Sequence, residues 1–138
     1  MKIALLTAAA VLAFTPAAFA EMVNYKADLK ASSEVPANDS KGSGALTATY
    51  DTASKKLTYS VTYKDLTGPV AAAHFHGPAA AGANAGVAIP VKEMTASPLK
   101  GEATLTDEQA TQLAGGMMYF NVHTAANKGG EIRGQVTK

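Results

Sequence analysis

Three histidines are the side chains of this 138-residue chain whose type and spacing point most directly to chemistry. His74 and His76 flank Phe75 at the end of the run Val70 to His76, which reads as a strand. Side chains two apart on a strand share a face, so both imidazoles project to one side and Phe75 projects into the core. Two neutral nitrogens on one face suit a metal ion bound at roughly 2.0–2.1 Å. His123 closes a second strand run, Met117 to His123, in which Met118, Phe120 and Val122 form the inward set. Tyr119, Asn121 and His123 then point outward, and three imidazoles converge if the two strands are neighbours. The pleat fixes the spacing of the His74–His76 pair, so this pair is expected to dominate the affinity, with His123 closing the site. A His-x-His unit is also a common surface pair, and a metal-free reading with structural histidines stands beside the metal one.

In Gly129 to Val136, Ile132 and Val136 read as inward and Glu131, Arg133 and Gln135 as outward. Asn121, Glu131 and Arg133 are candidates to support the ligands, a carboxylate orienting an imidazole N–H and a guanidinium facing an anion. The plainer reading, which the residues alone favour, is a surface ion pair between Glu131 and Arg133 of little energetic value. Glu34, before Pro36, reads as structural. Met117 and Met94 are candidate soft ligands, whereas Met118 reads as core. Imidazole suits copper and zinc, and copper heads the divalent affinity order, so copper, as Cu(II) or Cu(I), is the expected ion and zinc the second choice.

Composition removes many rivals. The absence of Cys excludes disulfides, thiol catalysis, iron–sulfur clusters and thiolate metal sites. Twelve basic against eleven acidic residues leave no basic patch for nucleic acid. No nucleophile elbow, phosphate loop or EF-hand pattern is present. Binding is therefore expected rather than catalysis.

The elements that must position the histidines read mostly as strands. Tyr25, Ala27 and Leu29 alternate with polar residues, as do Leu46, Ala48 and Tyr50. After the turn Asp51 to Lys55, the run Leu57, Tyr59, Val61, Tyr63 completes a hairpin. Further strands are expected at 86–91, 99–105 and 131–137. Thr106-Asp107-Glu108-Gln109 is a capping box, followed by Ala110, Leu113 and the stop Gly115-Gly116, which predicts one short helix. About eight strands and one helix in a single domain predict an all-β Greek-key sandwich or barrel over residues 21–138.

Residues 1–20 read as a leader rather than part of that domain. Lys2 precedes the apolar run Ile3 to Phe14, and Ala18-Phe19-Ala20 offers a small-residue cleavage site, so residues 1–20 are expected to be a signal peptide. After cleavage no membrane span remains, and the mature chain is expected in the periplasm or secreted. An exported compartment also handles copper with the least risk to cytosolic thiols.

Together, Glu34-Val35-Pro36, Ala73-His74-Phe75-His76-Gly77-Pro78, Tyr119 to Thr124 and Gly130 to Gln135 resemble the CHRD (chordin-like) domain from about Tyr25 to Val136. That resemblance implies an all-β, immunoglobulin-like or Greek-key domain, widespread in exported bacterial proteins, whose biochemical role is poorly defined. A looser similarity is to copper/zinc superoxide dismutase, also a Greek-key barrel with a His-x-His pair, a later His and an Arg around copper. It implies comparable parts for His74, His76, His123 and Arg133. The dismutase's zinc loop, bridging His and disulfide have no counterpart here. The expectation is a periplasmic copper-binding protein for copper binding, storage or transfer, with a copper-handling or envelope protein as partner. A metal-free envelope interaction module and a dismutase-type redox enzyme are the alternatives.

Overall fold

The computed structural model of the chain describes residues 19–93 and 96–138. Met94 and residues 1–18 of the expected leader lie outside the described residues.

Three consecutive strands follow directly from period-two alternation. In β1 (Met22–Lys30) Tyr25, Ala27 and Leu29 are buried; in β2 (Ser43–Asp51) Leu46, Ala48 and Tyr50; in β3 (Lys56–Lys64) Leu57, Tyr59 and Val61. The register pairs Ala27 with Leu46 and Leu46 with Val61, so the apolar sets stack on one face. The β2–β3 turn is closed by Asp51, whose carboxylate accepts from the backbone N–H of Ala53 at 2.9 Å and of Ser54 at 3.3 Å. A short acceptor one or two residues before the reversal is what such a turn requires.

The chain then crosses to β4 (Val70–His76) and its hairpin partner β5 (Val87–Pro90), and returns to place β6 (Leu99–Thr104) beside β3. Helix α1 (Asp107–Ala114) starts at the expected capping box. Thr106 Oγ1 accepts from Gln109 N, Gln109 Oε1 accepts from Thr106 N, and Leu113 is the buried anchor. β7 (Tyr119–Thr124) inserts between β4 and β8 (Ile132–Gln135), and β8 meets β1. The eight strands run in the order β5-β4-β7-β8-β1-β2-β3-β6, antiparallel throughout.

This one sheet curls over a single core. Tyr59 of β3 meets Phe75 of β4 with ring centroids 5.1 Å apart, and Phe75 meets Phe120 of β7 at 4.8 Å, both edge to face. β3 and β4 lie near opposite ends of the strand order, so these contacts require the sheet to wrap nearly into a barrel. The architecture is thus all-β with one short helix, as the alternation predicts. Phe75 and Phe120 are fully buried, which turns the alternate residues of β4 and β7, the histidines included, to the outside of the sheet.

Candidate metal centre

β4 and β7 are antiparallel neighbours, with His74 opposite Asn121, His76 opposite Tyr119 and Ala72 opposite His123. Residues opposite or diagonal across such a pair have side chains within reach of one another. The three imidazoles accordingly converge: one ring nitrogen from each of His74, His76 and His123 lies within 4.8 Å of the others. His74 Nδ1 is 3.1 Å from His123 Nε2, and the ring centroids of the His74–His76 and His74–His123 pairs are 5.4 and 4.9 Å apart. Asn121 joins them, its Oδ1 lying 2.9 Å from His76 Nε2 and 2.8 Å from His123 Nε2.

Backbone carbonyls set the tautomers. His76 Nδ1 faces the carbonyl oxygen of Ala85 at 3.0 Å, and His123 Nδ1 faces that of Lys128 at 2.8 Å. A carbonyl oxygen only accepts, so each Nδ1 carries the proton and donates it. In the neutral rings both Nε2 atoms then hold lone pairs, and both face Asn121 Oδ1, another acceptor. Three electron-rich atoms meet with no proton between them. Burial lowers the basicity of His76, outweighing the bonds to Ala85 and Asn121 that favour its charged form. Burial, and then His123 and His76, lowers that of His74. A cation among these atoms relieves the repulsion that protons are discouraged from relieving.

The surrounding groups differ from the sequence reading. Glu131 and Arg133 are buried and do not form an exposed ion pair. The Glu131 carboxylate is fully engaged by Ser40 Oγ at 2.5 Å, Thr67 N and Thr67 Oγ1 at 2.8 Å, and Thr124 Oγ1 at 2.5 Å. It therefore orients no imidazole; the carbonyls of Ala85 and Lys128 do that. The Arg133 guanidinium lies 3.4 Å over the Tyr119 ring and donates to Asn84 Oδ1 and to the Ala83 carbonyl. His76 stacks parallel to the same phenol ring, centroids 4.7 Å apart. One ring face cannot hold both groups at those distances, so Tyr119 stands between Arg133 and His76. Arg133 thus does not face the candidate metal position, and it supports His76 only through the Tyr119 stack. Met117 is partly exposed beside Gly115.

Two residues have a part in the site that the sequence reading did not give them. Tyr119 carried a signal, since it reads as outward on β7 two residues before Asn121. Glu34 carried no such signal. It is buried, its Oε1 has no hydrogen-bond partner, and burial lifts its carboxyl to about 7 against the opposing influence of Arg133 and Asn121. Gly130, with φ of 126°, lets this carboxyl group and the Asn121 amide nitrogen approach, since a Cβ there would collide with both.

Among the described residues, His74, His76 and His123 form the one group of three or more His, Cys, Asp or Glu side chains arranged to hold a metal ion. A family model of the CHRD domain matches residues 25–136. The chain belongs to the CHRD domain family. Comparisons with curated proteins and with solved structures gave no match. The matched span runs from within β1 to beyond β8, so the histidine cluster and Asn121 lie inside the CHRD domain and are not an appendage to it. CHRD domains occur in extracellular or secreted proteins. No helix among the described residues of this one is long and apolar enough to cross a membrane.

Proposed function

We propose that this CHRD domain is an exported copper-binding protein, with His74, His76 and His123 as ligands and binding, storage or transfer of the ion as its role. One observation carries the reading: the lone-pair faces of His76 Nε2 and His123 Nε2 are turned by backbone carbonyls onto a third acceptor, with His74 Nδ1 alongside. That preorganisation has a cost in an empty site and a return only when a cation arrives. Imidazole donors without thiolate favour copper, then zinc. A dismutase-type reaction on a small anion is less well supported, since the guanidinium that would attract the anion is stacked behind Tyr119.

The test is to express the chain from its full sequence, recover it from the cell envelope, and analyse it for copper and zinc. Titration with Cu(II) in air and with Cu(I) under anaerobic conditions follows, on the native chain and on a His74→Ala/His76→Ala/His123→Ala variant. Copper bound by the native chain and lost in the variant is the expected outcome. Equal copper affinity in the two would overturn the reading. The same preparation tests export: mass spectrometry is expected to show a chain beginning at Glu21, and retention of residues 1–20 would refute the leader.

A further inference from the structure

Asn121 is buried on the outer face of β7, directly opposite His74, with its amide between the histidine cluster and Glu34. We infer that the Asn121 side-chain oxygen is the fourth ligand, giving a set of three nitrogens and one oxygen that favours oxidised over reduced copper. The inference rests on the three-histidine reading above and adds to it a ligand and an oxidation-state preference.

Asn121 Oδ1 touches two ring nitrogens, at 2.9 and 2.8 Å. If those nitrogens bind a metal they carry no proton, and Oδ1 has nothing to accept from them. An oxygen held there binds the same ion, suffers the repulsion of two lone pairs, or turns away with its amide. The separations fit the first outcome, because donors bound at 2.0–2.1 Å and at right angles to each other lie about 2.9 Å apart. The His74 Nδ1–His123 Nε2 separation of 3.1 Å is of the same kind.

The other end of the amide supports this orientation. Asn121 Nδ2 lies on the side of Gly130, where the Glu34 carboxyl group also packs. A carboxyl oxygen beside the amide N–H₂ group favours the orientation with Oδ1 toward the imidazoles, as outer partners orient metal ligands generally. Glu34 is on this view a positioning residue. Hard oxygen donors suit Cu(II), whereas Cu(I) selects soft thiolate and thioether donors. Asn121 therefore contributes to Cu(II) affinity and little to Cu(I) affinity.

The experiment measures both affinities and the Cu(II) electron paramagnetic resonance spectrum for the full chain and two variants. Asn121→Leu removes the oxygen and keeps the branching of the side chain. It is expected to weaken Cu(II) by more than the roughly 10–100-fold that loss of an outer partner costs, with Cu(I) affinity unchanged and the spectrum altered. Asn121→Asp keeps an oxygen at the same place and gives a second reading should the leucine variant fail to fold. It is expected to hold Cu(II) at least as tightly as the native chain, with a changed spectrum. Equal losses for Cu(II) and Cu(I) in Asn121→Leu, or an unaltered spectrum in either folded variant, would overturn the fourth ligand while leaving the three-histidine site standing. A native chain that binds no copper would instead overturn the underlying site.

Discussion

Alanine in place of His123 is expected to cost more copper affinity than alanine at either His74 or His76. His123 Nε2 is the hub of the cluster, 3.1 Å from His74 Nδ1 and 2.8 Å from Asn121 Oδ1. Removing it deletes one ligand and also the group against which His74 Nδ1 rests in the metal-free site. His76, by contrast, is held independently by the Ala85 carbonyl and the Tyr119 ring, so the remnant left in His123→Ala is one well-placed imidazole and one loose one. The loss is expected to reach at least about two orders of magnitude, or about 3 kcal/mol. The variant should still fold, because His123 is half-buried at the outer face of the sheet and its one bond outside the cluster is that of Nδ1 to the Lys128 carbonyl, a kind of bond that contributes about 1 kcal/mol. Circular dichroism with Cu(II) titration of the three single variants decides the order. Affinity in His123→Ala within about tenfold of native, about 1.4 kcal/mol, would refute the hub.

Spacing along the chain suggests the opposite ranking, with the His74–His76 pair dominant, and the reason for the difference is physical. Alternation tells which face a side chain takes and nothing about what lies over that face. It placed Phe75 in the core and His74, His76, Asn121 and His123 together outside, because those assignments need only the pleat and the pairing of β4 with β7. It misjudged Glu131 and Arg133 because the outer face of β7 and β8 is not bare. The segment carrying Ala83, Asn84 and Ala85 covers Arg133 and Tyr119, and the segments carrying Ser40 and Thr67 close over Glu131. Those segments have no periodicity, so their position is a tertiary fact. Glu34 is the extreme case: a carboxyl in an irregular turn, 87 residues before the Asn121 it accompanies, visible only once Gly130 brings the two together.

Replacing Glu131 is expected to produce the largest loss of stability and to change its pH dependence. Four donors converge on this carboxylate from Ser40, Thr67 and Thr124, joining three separate segments, and no cation is among them. Alanine would leave these donors unpaired in a buried site; with bonds to a charged group contributing about 1.5–3 kcal/mol each and partial access of water, the expected cost is of order 3–5 kcal/mol. Glutamine should recover little, since the Thr67 N–H can only donate and half of the amide can only donate in return. Burial alone would raise this carboxyl, but the bonds from Ser40, Thr124 and Thr67 outweigh it and hold the group at about 2, below its ordinary 4.5. Between those values the unfolded chain binds the proton and the folded one does not, so stability rises with pH across that interval. Its contribution is complete above 4.5 and is lost as the pH falls through 2. Glu34 acts with the opposite sign: raised to about 7 chiefly by burial, it binds its proton more tightly in the folded state, so its effect on stability falls as the pH rises from 4.5 to 7. Denaturant midpoints measured across this range should therefore show two separable arms, the acid one flattened in Glu131→Gln and the neutral one in Glu34→Gln. An acid arm in Glu131→Gln as steep as in the native chain would show that some other carboxylate provides the clasp.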